Sequence, residues 1–163
     1  MSKRTSYIFI LSFVAVTILG IVVGAWLFVG QEKYVNEKTI ALGEERQDEM
    51  DVNLSGLCPG MSRLYEINLR ANSGDGFKIT MAFERAEVDS LAQFVDVEVR
   101  ACGETVDRAK LSEYLDGKQI SFPVKFDGVS EINVEIVYSM GRDVGDEAQN
   151  TEADFKIVIS SER

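Results

Sequence analysis

The chain has no histidine, and only two cysteines and two prolines among its 163 residues. Without an imidazole base, the Ser-His-Asp and Cys-His mechanisms are excluded, as are the His-rich zinc sites of hydrolases. Cations are scarce as well. Seventeen Lys and Arg face 27 Asp and Glu, a formal net charge of −10. That balance argues against a nucleic-acid partner, because phosphate binding requires clustered Lys and Arg. A further absence is local: no charged side chain occurs between Tyr7 and Gly30.

That uncharged run is 24 residues long and dominated by Ile, Leu, Val and Phe. As a helix it would measure about 36 Å, against a hydrocarbon core of roughly 30 Å. Lys3 and Arg4 precede it, and Glu32, Lys33, Glu37 and Lys38 cancel after it. The positive-inside bias therefore predicts a cytoplasmic N-terminus, with everything after Gly30 outside. The run exceeds the usual signal-peptide core, which favours a permanent anchor. Val23 and Ala25 nevertheless supply the small residues of a cleavage site after Ala25. Residues 1–30 are thus a signal peptide or signal anchor, and 7–30 contact the membrane if uncleaved. A buried core helix of a soluble protein is the bland alternative, but such a helix is rarely apolar all round. Lys3 and Arg4 are the only charges in the first thirty residues, so residues 31–163 hold 15 cations and 27 carboxylates, a net −12. Such a surface repels anionic lipid and favours solubility outside the cell. The mean hydropathy of −0.03 averages two unlike parts.

Residues 31–38 are polar and read as a linker, and 39–163 as one extracytoplasmic domain. There the apolar period is two, as in half-buried strands. Candidate strands are Thr39–Leu42, Asp51–Leu57, Leu64–Ala71, Phe77–Glu84, Val95–Ala101, Ile120–Phe126, Ile132–Met140 and Ala153–Ile159. Glu87–Phe94 and Arg108–Leu115 instead carry helical spacings, and Gly141–Thr151 reads as a polar loop. Seven to eight short alternating strands predict an all-β fold, an antiparallel two-sheet sandwich that is jelly-roll-like. A parallel α/β sheet would need longer helices between its strands.

Several turn motifs resemble those of the TasA/camelysin family. Asn53, Leu54, Pro59 and Gly60 match its "NLxPGD" turn, with Met61 in place of the Asp and Cys58 as an addition. Asn72 and Gly74 match its Asn-x-Gly turn after a strand. Gly145, Glu147 and Gln149 resemble its "GNExQG" loop, with Asn150 in place of the final Gly. The N-terminal run is similar to the associated SipW-type signal peptide. The resemblance implies a jelly-roll protein exported across a single membrane, which forms biofilm-matrix fibres by strand donation or stays at the cell surface. Residues 31–42 would be the donor segment in a cleaved form. Strand donation closes an otherwise open sheet edge.

Cys58 and Cys102 are the only thiols. An exported pair reads as a disulfide. An intramolecular bridge would contribute about 4 kcal/mol by chain entropy; an intermolecular bridge and free thiols are the alternatives. Camelysin-type members have carried a metalloprotease label, but without histidine a zincin mechanism is excluded here. No Asp-Thr/Ser-Gly signature is present either. Catalytic residues, metal ligands and cofactors are therefore expected to be none. The acidic stretch Asp143, Asp146, Glu147, Glu152 and Asp154 lacks calcium-loop spacing and reads as a solvated loop. Asn53-Leu54-Ser55 fits the glycosylation sequon by chance. Tyr65 and Tyr138 fall on apolar faces and read as core.

The sequence points to a non-enzymatic surface or matrix component that self-associates or meets other surface proteins. The alternatives are an anchored sandwich that binds a protein or glycan, and a surface protease.

Overall fold

The computed structural model describes residues 35–72, 74–86, 90–148 and 151–163. The apolar run 7–30, the cleavage position at Ala25 and Gln149 lie outside the described residues. Among those described, no helix is long and apolar enough to cross a membrane. The elements run β1 (Val35–Ala41), β2 (Arg46–Asn53), β3 (Ser62–Arg70), β4 (Gly76–Arg85), β5 (Val95–Ala101), β6 (Glu104–Lys110), the short helix α1 (Leu111–Leu115), β7 (Ile120–Lys125), β8 (Glu131–Met140) and β9 (Asp154–Glu162).

Two sheets face each other. One has the order β1-β3-β8-β5-β6 and the other β2-β9-β4-β7. From β2 onward the strands pair as a long hairpin rolled onto itself: β2 with β9, β3 with β8, β4 with β7 and β5 with β6. This nesting is the winding of a jelly roll. Period-two alternation explains each inner face. Phe77, Ile79, Met81 and Phe83 of β4 are buried, as are Ile132, Val134, Ile136, Tyr138 and Met140 of β8. An aromatic chain crosses the core. Tyr65 meets Tyr138 edge-on at 5.4 Å, and Tyr138 meets Phe155 at 5.7 Å. Phe155 stacks on Phe83 at 5.9 Å, and Phe83 on Tyr114 at 4.8 Å.

Several expectations need correction. β1 begins at Val35, inside the presumed linker, and pairs in parallel with β3 rather than antiparallel. The chain runs up β1, crosses to the other sheet for β2 and returns in β3, so β1 and β3 share a direction. Its Glu37 and Lys38 imitate a linker because an edge strand is held by its backbone and tolerates charge. β2 ends at Asn53, earlier than expected. Residues 108–110, read as helical, complete β6, and only Leu111–Leu115 are helical. The residues described from Ser90 to Phe94 form turns, not a helix. The β5–β6 hairpin depends on Cys102 and Gly103, whose φ angles are +53° and +81°. Two such residues make the tight turn that suits strand twist, usually built from Asn-Gly.

Candidate functional site

β1 is an edge strand whose attachments differ from those of the core strands. From Asn36 to Ala41 only Ile40 is buried, at 2% exposure. The rest of its hold is polar. Seven residue pairs align it with β3. Glu37 Oε1 accepts a 2.6 Å bond from Asn68 Nδ2, and Asn68 Oδ1 accepts one of 3.1 Å from Asn133 Nδ2. Lys38 Nζ reaches across to β2, donating to Asp48 Oδ1 at 2.6 Å and to the Glu49 carbonyl. The bond from Lys38 holds the Asp48 carboxyl below the usual carboxylate range, although burial opposes it. β1 and β2 border an open groove lined in part by Lys38, Met50, Asp51, Arg63 and Tyr65.

The turn residues quoted above do structural work. Asn53 Oδ1 accepts from the Ser55 amide at 2.9 Å and from Ser55 Oγ at 2.5 Å, making a local turn. Its Nδ2 donates to Asp154 Oδ1 at 2.5 Å. Its carbonyl accepts from Arg63 Nη1 at 2.9 Å and from the Tyr65 hydroxyl at 3.0 Å. Leu54 is fully buried. Cys58 to Met61 forms a turn closed by a 3.0 Å bond from the Met61 amide to the Cys58 carbonyl. Pro59 and Gly60 occupy its central positions, and Gly60 has φ +81°. That is a type II pairing, in which the second central residue needs a positive φ. A Cβ on Gly60 would also lie 3.1 Å from Arg142 Cγ. Asn72 and Gly74 belong to a turn closed by the Asp75 amide on the Asn72 carbonyl at 3.2 Å, with Gly74 at φ +91°. The Gly145 carbonyl accepts from the Ala148 amide at 3.3 Å, and Glu147 is exposed.

Cys58 and Cys102 are free, exposed thiols. The intramolecular bridge is corrected by topology. Gly60, beside Cys58, bonds the Met140 carbonyl at one end of β8; Cys102 bonds the Asn133 carbonyl near the other. Seven strand residues separate those carbonyls, on the order of 23 Å. A disulfide requires Cα atoms within about 7 Å.

In the acidic loop, Asp154 is engaged by Asn53, and Asp143 folds back over Gly141. Among the described residues, no three acidic or thiol side chains converge as a metal site.

Tyr65 and Tyr138 are buried, as the alternation predicts, at 3% and 0% exposure. The Tyr138 hydroxyl makes no hydrogen bond, and burial pushes its phenol far up. Sequence reasoning missed one cluster. Tyr114 donates to Asp107 at 3.1 Å, and Lys118 sits 3.1 Å from the same carboxylate and over the Tyr114 ring. Burial first, then the Asp107 charge, pushes the Tyr114 phenol up. Burial works to raise the Asp107 carboxyl, but the bonds from Lys118, the Arg108 amide and Tyr114 hold it below its usual range. The helical pattern assigned to Arg108–Leu115 hid this corner, because it left Asp107 outside the element.

No protein-family model matches this chain, and no curated protein matches it by sequence. Among solved structures, it overlaps weakly with a periplasmic inhibitor of g-type lysozyme from Aeromonas hydrophila. There the identity is 13%, over 78% of this chain and 99% of that one, with a TM-score of 0.41. The pre-peptidase C-terminal domain of a Bacillus anthracis collagenase gives 12% identity over 82% of this chain and 99% of that one, at 0.38. The corresponding Salmonella Typhimurium lysozyme inhibitor gives 14% identity over 77% and 98%, at 0.36. At these scores the likenesses carry no argument about this chain.

Proposed function

We propose that this chain is a non-enzymatic component of the cell surface or extracellular matrix, similar to the TasA/camelysin proteins. Residues 7–30 deliver it across a membrane as a signal peptide or remain as its anchor. The observation that supports this reading is the place of β1. The strand that follows the uncharged run lies at an open sheet edge, with Ile40 as its buried anchor and polar clamps at Glu37 and Lys38. An edge strand held this way can be exchanged between copies once the preceding run is removed. If the run is retained, β1 stays tethered to the membrane and the domain acts as an anchored surface module. The net −12 of residues 31–163 suits a soluble domain outside the cell.

Fractionation of cells into membrane and medium, with intact mass and N-terminal sequencing of the chain, tests the proposal. Recovery outside the cytoplasm is expected, either whole in the membrane or starting near Trp26 in the medium. A cytoplasmic full-length chain would overturn it. Chelator-sensitive cleavage of an unfolded substrate by the purified protein would overturn the non-enzymatic part.

A further inference from the structure

Three Asp-Gly steps occur in the chain, at Asp75-Gly76, Asp116-Gly117 and Asp127-Gly128. At such a step the main chain can attack its own side-chain carboxyl, because glycine has no Cβ to shield its nitrogen. The fold holds two of the three closed. Asp75 Oδ1 accepts from Arg163 Nη2 at 2.7 Å. The Asp75 amide donates to the Asn72 carbonyl at 3.2 Å, and its carbonyl accepts from the Phe126 amide at 2.9 Å. Gly76 already belongs to β4, aligned with Lys125 of β7. Asp116 caps the C-terminal end of α1, and Arg85 holds its carboxylate. Its ψ of 7° turns the Gly117 nitrogen away from the side chain, and that amide donates to the Tyr114 carbonyl at 3.1 Å. Asp127 differs. It follows buried Phe126, whose carbonyl accepts from the Gly74 amide at 2.8 Å. Residues 127–130 are all exposed and lead from β7 of one sheet to β8 of the other. Among the described residues, neither the Asp127 carboxylate nor the Gly128 amide has a hydrogen-bond or ion-pair partner. Gly128 has φ +75° and open space around it.

We infer that Asp127-Gly128 is a self-modification site, at which the folded chain converts Asp127 to isoaspartate while Asp75 and Asp116 stay intact. The Gly128 nitrogen attacks Cγ of the protonated Asp127 carboxyl. A C–N bond forms, and the carboxyl hydroxyl leaves as water with the amide proton. The product is a five-membered succinimide. Water then adds to one of its two ring carbonyls. Opening at Cγ restores Asp127. Opening at the main-chain carbonyl breaks the original peptide bond and leaves the chain running through Cβ and Cγ. One water leaves and one returns, so no oxidant, enzyme or cofactor is consumed. Net charge is unchanged, but the main chain is longer by one carbon, and the α-carboxylate becomes a side group. The extra atom falls between two fixed points, buried Phe126 and the Ser130 carbonyl, which accepts from the Ala71 amide at 3.2 Å. The exposed loop absorbs it, and the strands on either side keep their register. The modified fraction grows with the time since synthesis, so this loop records the age of each copy. The inference stands apart from the proposed export.

The test incubates the full chain in detergent micelles in warm, mildly acidic buffer, and follows the three Asp-Gly peptides by mass spectrometry after digestion. The Asp127 peptide should appear first as a form lighter by one water. It should then give an isomer of unchanged mass that elutes separately and is methylated by protein isoaspartyl methyltransferase. Asp75 and Asp116 should lag by roughly tenfold or more, because each must first give up a charge-assisted hydrogen bond. In urea the three steps should convert at similar rates, which shows that the fold makes the choice. Asp127→Glu should abolish the isomer, since its longer side chain cannot close the five-membered ring, and a thermal melt matching the parent excludes a folding defect. Equal rates at the three steps in the folded chain, or conversion at Asp75 or Asp116 ahead of Asp127, would overturn the inference. So would an Asp127 peptide that stays intact in the folded chain while the same step converts in urea.

Discussion

β1 and β9 are both strands of this sandwich, yet they are held by different forces. β9 sits inside its sheet between β2 and β4, and it buries Phe155, Ile157, Val158, Ile159 and Ser161. β1 sits at the edge of the other sheet, pairs on one side, and buries Ile40. Apolar burial is worth about 1.5–3 kcal/mol per large side chain, so β9 cannot leave without loss of the core. β1 adds the surface ion pair Lys38–Asp48, of a kind worth about 0–1 kcal/mol, and the Glu37–Asn68 hydrogen bond. A strand of the first kind is part of the folding unit. A strand of the second kind opens locally at a small fraction of the global cost.

The largest expected effect tests the interior. Ile157→Ala should destabilise the chain by about 3–5 kcal/mol in urea unfolding, since Ile157 is fully buried between the sheets. Ile40→Ala should cost about 2 kcal/mol or less, because the edge can relax around the lost volume. Equal losses at the two positions would erase the distinction between the strands. Gly60→Ala comes next, at about 1–2 kcal/mol, from forcing a Cβ into φ +81° and against Arg142.

Lys38→Ala should cost about 0.5 kcal/mol globally. Its clearer signature is faster amide exchange in β1 and unchanged exchange in β9. Acid should act on the same clamp. Asp48 has a folded pKa below its ordinary 3.8, so its contribution is complete at neutral pH. That contribution is lost as pH falls from about 4 through the lower folded value. Exchange or nuclear magnetic resonance shifts of β1 at pH 3 should reveal loosening there first; uniform loosening of all strands would contradict it. The last effect has the opposite sign. Tyr138→Phe removes a buried hydroxyl without a partner and should leave stability unchanged or raise it by up to about 1 kcal/mol.

The same contrast explains what could be read from the chain in advance. β4, β5, β7 and β8 have one buried face each, so their apolar residues alternate in the sequence. β1 and β6 are edge strands with little buried on either face. The segment Asn36–Lys38 therefore looked like a linker, and Arg108–Lys110 looked helical. Cys102-Gly103 hid a hairpin because Cys is an unusual residue at positive φ. The turn residues Asn53, Pro59, Gly60, Asn72 and Gly74 were visible for a local reason: their chemistry acts within a few residues of chain.

By itself, the sequence determined the uncharged run, the acidic balance, the missing imidazole, the inner faces of the central strands and the turn positions. These depend on composition and on neighbours two to four residues apart. Tertiary structure alone decided which strand became an edge, that β1 runs parallel to β3, and that Tyr138 has no partner for its hydroxyl. It also decided that Cys58 and Cys102 stand at opposite ends of β8. Those outcomes depend on how the long hairpin rolls, which sets contacts between residues tens of positions apart and leaves no local mark in the chain.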